Sequence, residues 1–193
     1  MRRDNLGKLR IIGGRWRSRV LPVIEQAGLR PTPDRVRETL FNWLQAYVPG
    51  AQCLDLYAGS GALGFEAASR GAAGVVLIEQ QAAACQLLAE NIKTLQAPNI
   101  SLHQQDALAW LRGNQQVFDL VFLDPPYDAD LLAESCRLLE DSQSLSEGAA
   151  IYLELSSQHE LPALPENWHI IRGKKAGQVS YHLAIRQPIQ DTK

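Results

Sequence analysis

The stretch Asp124-Pro125-Pro126-Tyr127 combines a carboxylate, a rigid backbone and an aromatic ring in four residues. Together they suit one kind of chemistry, alkylation of an exocyclic amino group on a nucleic-acid base. Such an amine is a poor nucleophile because its lone pair is delocalised into the ring, and its attack must be in line with the bond that breaks. A catalyst therefore has to hold the NH2 group at the reacting carbon and localise the lone pair. Two acceptors aimed at the two N–H bonds do both, and here they are the Asp124 carboxylate and the Pro125 carbonyl. Each proline ring fixes its own φ, and Pro126 biases Pro125 toward extended geometry, so the acceptors are held still. Tyr127 offers a face on which an unstacked base can lie. Taken singly, the prolines would serve equally as a strand-ending turn and Tyr127 as a core aromatic.

The second chemical stretch is the loop Asp55-Leu56-Tyr57-Ala58-Gly59-Ser60-Gly61-Ala62-Leu63-Gly64. Gly59, Gly61 and Gly64 fit the GxGxxG pattern that nicotinamide and flavin enzymes also carry. Glycines at such a turn let the backbone pass close to a ligand. Glu79 ends the following apolar stretch, where it could accept hydrogen bonds from both hydroxyls of a ribose. Asp55 separates the two ligand classes: four residues before the glycines, its carboxylate would repel a pyrophosphate and attract the sulfonium and ammonium of S-adenosylmethionine. Local backbone amides are its alternative partners. Tyr57, Ala58, Gly59, Ser60 and Gly61 are thus candidate cofactor contacts with Asp55 and Glu79. Asp106 completes the set, placed to bond an adenine amino group or to cap the helix that begins at Ala107.

These groups need elements to position them, and the apolar rhythm supplies strand and helix in alternation. Strands are predicted over 52–57, 74–78, 100–103, 118–123 and 149–155. Helices are predicted over 62–70, 81–95, 107–112 and 130–140. In the second of these, Ala82, Cys85, Leu88, Ala89 and Ile92 form one apolar face. A terminal hairpin of 169–172 and 179–185 is predicted around a loop at 173–177 that carries Lys174-Lys175. Repeated βα units with apolar strands predict a doubly wound, Rossmann-like α/β domain, its mostly parallel sheet covered on both faces. Asp124 is then expected at a strand's carboxyl end, two strands from the glycine loop, where such sheets bind ligands. Ahead of this domain, residues 8–21 read as a β-ribbon with a Gly13-Gly14 turn, and a helix is predicted to begin near Asp34 and to end by Pro49-Gly50.

Charge is unevenly spread. Residues 1–40 carry ten basic and four acidic side chains, whereas the rest carries nine and seventeen, which sum to the net −2. A basic arm on an acidic body suits a polyanionic partner. Arg10, Arg15, Arg17 and Arg19 alternate along the ribbon to face phosphates, with Trp16 on the other face or stacking on RNA. Arg35 and Arg37 fall near the start of the helix at Asp34, where they would bind an anion or pair with Asp34 or Glu38. The proposed organisation is residues 1–30 as a basic RNA-contacting ribbon, 31–187 as the catalytic domain and 188–193 as a tail.

At 193 residues, 46% hydrophobic and 21% charged, the composition is that of an ordinary globular protein. No apolar run approaches the roughly 20 residues of a membrane span, and no signal-peptide pattern follows the charged start, so a cytoplasmic location is expected. Cys53, Cys85 and Cys136 lie in apolar patterns and read as core thiols. Neither they nor the four histidines show metal-ligand spacing, so no metal is expected.

On these motifs the chain resembles the bacterial RsmD family, methyltransferases that act on the N2 of one guanine in 16S ribosomal RNA. The resemblance runs through Arg10-Ile11-Ile12-Gly13-Gly14, Leu29-Arg30-Pro31-Thr32, DRVRETLFNWL over 34–44, the glycine loop, Asp124-Pro125-Pro126-Tyr127 and Ala176-Gly177-Gln178-Val179. It departs at Ser18-Arg19-Val20-Leu21, where the family has Gly-Arg-Lys-Leu. The resemblance implies a class I S-adenosylmethionine methyltransferase fold, S-adenosylmethionine as donor and S-adenosylhomocysteine as product. It also implies a substrate within the small ribosomal subunit or its assembly intermediate. Asp55, Gly59, Gly61 and Glu79 would bind the cofactor, and Asp124, Pro125 and Tyr127 would form the reaction site. A monomer is expected, since the ribosome supplies the large partner surface. The competing readings are a DNA or other RNA amino-methyltransferase acting on adenine N6, a nicotinamide oxidoreductase, and a non-catalytic RNA-binding assembly factor.

Overall fold

The computed structural model describes residues 6–24, 34–126 and 129–188. Among them, seven strands form one sheet: β3 (Gln52–Asp55), β4 (Gly74–Glu79), β5 (Ile100–Gln104), β6 (Phe118–Leu123), β7 (Leu145–Ser156), β8 (Trp168–Ala176) and β9 (Val179–Arg186). Their order is β5-β4-β3-β6-β7-β9-β8. The first five are parallel, and β9 then runs antiparallel between β7 and β8. The doubly wound α/β sheet with an antiparallel C-terminal hairpin is therefore as predicted.

Side chains alternate along each strand, so each feeds two cores. Leu120 and Phe122 of β6 join a cluster with α1 (Asp34–Trp43), α2 (Ala62–Ser69) and α3 (Ala82–Leu95). Val121 and Leu123 join the opposite cluster with α4 (Ala107–Gly113) and α5 (Ala129–Asp141). Burial on both faces explains why the central strands read as unbroken apolar runs. Cys53, Cys85 and Cys136 are free and buried in these layers. Burial pushes the thiols of Cys53 and Cys136 up to about 12, so both behave as small apolar side chains. No helix among the described residues is long and apolar enough to cross a membrane.

Three sequence expectations need correction. The predicted loop at 173–177 is strand: β8 continues to Ala176, leaving a turn around Gly177 and Gln178. Being at the sheet edge, β8 can carry Lys174 and Lys175 without any apolar signature, because backbone pairing with β9 holds it. In α3, Ala82 is exposed, and the buried row includes Asn91 and Leu95. The polar Asn91 is tolerated there because its amide donates to the Pro22 carbonyl at 2.9 Å. Finally, β3 and β6 are hydrogen-bonded neighbours, not two strands apart, since the chain reverses its direction of winding between them.

The N-terminal ribbon pairs β1 (Leu6–Arg10) with β2 (Val20–Ile24) in antiparallel register. Its connection is longer than a glycine turn and contains a 3-10 turn over Gly14–Trp16. Leu9, Ile11, Trp16, Leu21 and Val23 are buried in the same core as α1 and α2, so the ribbon is seated on the domain.

A charged cluster makes that seat. Glu66, fully buried in α2, accepts from the amides of Ile12 (2.9 Å) and Gly13 (2.8 Å) and from Arg70 Nε at 2.7 Å. Ser69 Oγ donates to the Gly13 carbonyl and accepts from the Trp16 amide. Arg37, only 1% exposed, donates to the Arg10 carbonyl and to Asp34, while its Nη1 lies 3.9 Å from Glu66. Main-chain polar groups that leave water need such partners.

Candidate active site

The carboxyl ends of β3, β4, β5 and β6 surround one cavity, at the point where strand order reverses. Ligands bind open α/β sheets at this position because the loops diverge there to opposite faces. Asp55, Tyr57, Ala58, Gly59, Ser60, Glu79 and Asp106 all line the cavity, and so do Asp124 and Pro126. Residues separated by up to 71 positions in sequence are thus brought around one space. Gly61 and Pro125 are buried behind the lining. Tyr127 lies outside the described residues.

The glycine loop is shaped by backbone demands. Gly61, at φ 76°, sits in the left-handed region at the start of α2, and a Cβ there would press to within 2.5 Å of the Phe65 ring. Gly64 is needed for packing: a Cβ would come within 2.3 Å of Leu77 and 3.1 Å of Asp55 Oδ2. Its absence lets α2 lie close on the sheet and lets the Gly64 amide donate to Asp55 Oδ2 at 2.9 Å.

Asp55 is 2% exposed, and among the described residues that amide is the one hydrogen-bond partner of its carboxylate. Burial pushes its pKa up to about 7, with the Gly64 bond opposing and the Glu79 charge adding to the rise. A buried carboxylate with so little compensation favours a cation beside it. This is the observation that fits an ammonium or sulfonium in the cavity, and it argues against a pyrophosphate.

Glu79 is better supplied. Its oxygens accept from the amides of Gly59 and Gln81, both at 2.8 Å, which ties the glycine loop to the end of β4. An ionised carboxylate has about four acceptor positions, so ribose hydroxyls could still be received. Asp106 caps α4 by accepting from the Ala109 amide at 2.8 Å while also lining the cavity, so both of its expected roles are compatible.

Sequence reading missed part of the wall. Pro22, Val23 and Ile24 of the ribbon and Leu87, Leu88 and Asn91 of α3 also line the cavity. Nothing local marks them, because the wall exists only once the ribbon docks on α3. Glu66 left a fainter signal, as the one charged residue in the helix ALGFEAAS.

The residues expected to bind RNA separate into groups. Arg10, Arg15, Arg17, Arg19 and Arg35 are exposed. Arg37 is not: it is a buried cation holding the ribbon, which corrects its assignment to RNA. Trp16 is likewise 7% exposed within the core, with the Arg15 guanidinium 4.0 Å above its ring, so its face is already covered. The turn of the ribbon touches Ser69 and Asn99, at the amino ends of the strands. Strands rise about 3.3 Å per residue, so Arg15 lies roughly 20 Å, the length of β4, from the cavity.

The strand order and the cavity define a class I methyltransferase fold. Yet only closer relatives speak to the family. The chain belongs to the family of ribosomal RNA small subunit methyltransferase D. The family described as Conserved hypothetical protein 95 matches residues 9–185. Ribosomal RNA small subunit methyltransferase D of Escherichia coli K12 is 50% identical over 181 residues, covering 94% of this chain and 91% of that protein. The solved structure of yhhF from Escherichia coli superposes with a TM-score of 0.88 at 48% identity, covering 94% of this chain and 99% of that one. The SAH complex of SMU.776 shares the fold alone, at 13% identity and a TM-score of 0.69, covering 96% of this chain and 57% of that one.

Proposed function

We propose that this chain transfers a methyl group from S-adenosylmethionine to the exocyclic N2 of one guanine in 16S ribosomal RNA. The substrate is the small ribosomal subunit or its assembly intermediate, and the enzyme acts as a cytoplasmic monomer without a metal. The observation that carries this reading is the convergence of Asp55, Glu79 and Asp106 with Asp124 on one cavity at the strand-order reversal.

Bound in that cavity, the cofactor supplies an electrophilic methyl on a cationic sulfur. Asp55 holds the positive charge, Glu79 the ribose and Asp106 the adenine edge, with Tyr57, Ala58, Gly59, Ser60 and Gly61 shaping the loop around them. Asp124 and the Pro125 carbonyl accept the two N–H bonds of the base and aim its lone pair, and Tyr127 stacks on the ring. The amine proton released on transfer passes to the Asp124 carboxylate. The exposed arginines Arg10, Arg15, Arg17, Arg19 and Arg35 hold ribosomal RNA.

The test is transfer of labelled methyl to small subunits from a strain lacking this gene, followed by nucleoside analysis. Labelled N2-methylguanosine at one site is expected. Label in adenine, or in DNA alone, would discard the assignment to guanine or to ribosomal RNA. Asp124→Ala should abolish transfer and leave cofactor binding intact. An unchanged rate of modification in that variant would sink the proposed reaction centre.

A further inference from the structure

Lys174 and Lys175, predicted in a loop, instead occupy the edge strand β8, and the register shows where. Phe122 pairs with Tyr152 and Leu123 with Leu153, so Asp124 continues the row at the level of Glu154. Glu154 pairs with Tyr181, and Tyr181 with Lys174. One transverse row therefore runs from Asp124 through β7 and β9 to Lys174. Lys175 pairs with Ser180, one step nearer the turn at Gly177. At about 4.8 Å between strands, the three steps place the Lys174 backbone roughly 14 Å from Asp124, at the same end of the sheet. Arg15, at the turn of the ribbon, is at the opposite end.

Arg172, Lys174 and Lys175 are all exposed, and none takes part in an ion pair among the described residues. Carboxylates elsewhere hold Arg37, Arg70, Arg112, Arg137 and Arg186. Three cations outside any ion pair fall within four residues, Lys174 in the row of Asp124, Lys175 one step beyond it and Arg172 in the row of Phe122. They are complementary to the phosphates next to the reacting base.

We infer that the cavity end of β8, through Arg172, Lys174 and Lys175, grips the RNA backbone flanking the methylated base. This rests on the proposed RNA substrate. It adds a clamp at the level of the chemistry to the distant turn of the ribbon, so that one segment of RNA is held on the far side of Asp124 from the cofactor loop. Lysines on an edge strand also discourage edge-to-edge pairing, and that role alone predicts no change in substrate affinity.

The discriminating experiment measures methyl transfer to unmodified small subunits by the full chain and by Lys174→Ala/Lys175→Ala, over a series of salt concentrations. Each phosphate contact adds about 0.7–0.9 to the slope of log affinity against log salt. The double variant should raise KM about tenfold near physiological salt, on the order of threefold per lost contact, and flatten the slope by about 1.4–1.8. Its kcat at saturating subunits and its binding of S-adenosylhomocysteine should match the parent, and Lys174→Arg/Lys175→Arg should restore KM. An unchanged KM and slope would overturn the inference while leaving the methyltransferase reading intact. A raised KM with an unchanged slope would assign the edge to a protein partner and also overturn it. A parent chain that modifies no RNA would remove the reading on which the clamp rests.

Discussion

The cavity and the seat of the ribbon each contain a buried carboxylate on the same face of the sheet, and the two are treated in opposite ways. Glu66 has two backbone amides and the Arg70 guanidinium in hydrogen-bond contact, with Arg37 nearby. Asp55 has one amide and a second carboxylate, Glu79, as its electrostatic neighbour. The satisfied group is structural: it fastens the ribbon to α2. The under-satisfied group carries a cost when ionised that protonation or a bound cation offsets, and it lines the cavity. Burial alone does not distinguish a functional acid from a structural one. The number and charge of its partners does.

The largest effect should come at the cavity and leave the fold untouched. Asp124→Ala should lower kcat by at least about a thousandfold, roughly 4 kcal/mol of barrier, with a melting temperature close to the parent's. Loss of folding in that variant would break the division between the two regions. At the seat the pattern should reverse. Glu66→Ala leaves Arg70 without its carboxylate and the Ile12 and Gly13 amides without their acceptor, and should cost about 3–5 kcal/mol in denaturant unfolding. Residual folded protein should still bind S-adenosylhomocysteine, though more weakly, because Pro22, Val23 and Ile24 leave the wall when the ribbon loosens.

Asp55 offers the sharper comparison, through pH. Its folded pKa of about 7 lies above the ordinary 3.8. The raised group contributes stability that is present below about pH 3.8 and is lost as pH rises through about 7. A shift of that size corresponds to roughly 4 kcal/mol, an upper figure for a buried group. Asp55→Asn should therefore stabilise the ligand-free protein at pH 8, by about 1–2 kcal/mol once the amide's own desolvation is counted, and the gain should shrink as pH falls below about 7 and turn into a loss of about 1 kcal/mol near pH 5. The same variant should bind S-adenosylmethionine at least tenfold more weakly at pH 8. In the parent, affinity should rise with pH up to about 7 and then level off, the sign expected when the ligand requires the charged carboxylate. A pH-independent affinity would place the cation elsewhere. The smallest effect should be Ser69→Ala, which removes the hydroxyl shared by the Gly13 carbonyl and the Trp16 amide and should cost about 1 kcal/mol.

Much of this was legible in the chain because its signals are local. The strand Phe118–Leu123 has the predicted ends, since an apolar run buried on both faces stops at a charge and two prolines. The glycine loop marked its own turn, because Gly61 adopts a backbone that other residues rarely enter. Asp55, Glu79, Asp106 and Asp124 were picked out by their positions at strand ends, which a parallel sheet brings to one edge whatever the order of its strands. What could not be read was anything set by a distant partner. Arg37 and Arg35 look equivalent in sequence, yet one is buried against Arg10 and Glu66 and the other is exposed. Trp16 became core for the same reason. The length of β8 was invisible because an edge strand is held by backbone pairing, which leaves no pattern in its side chains.

The sequence by itself thus determined the elements, the class of fold and the acidic residues of the cavity, since periodicity and glycine geometry act over a few residues. Tertiary structure alone decided that β3 neighbours β6, that the ribbon closes the cavity wall, and that Glu66 is an anchor while Asp55 lies buried in the cavity wall with few partners. Those outcomes depend on which groups meet across the fold, and the energy of a buried charge is set by the groups it meets.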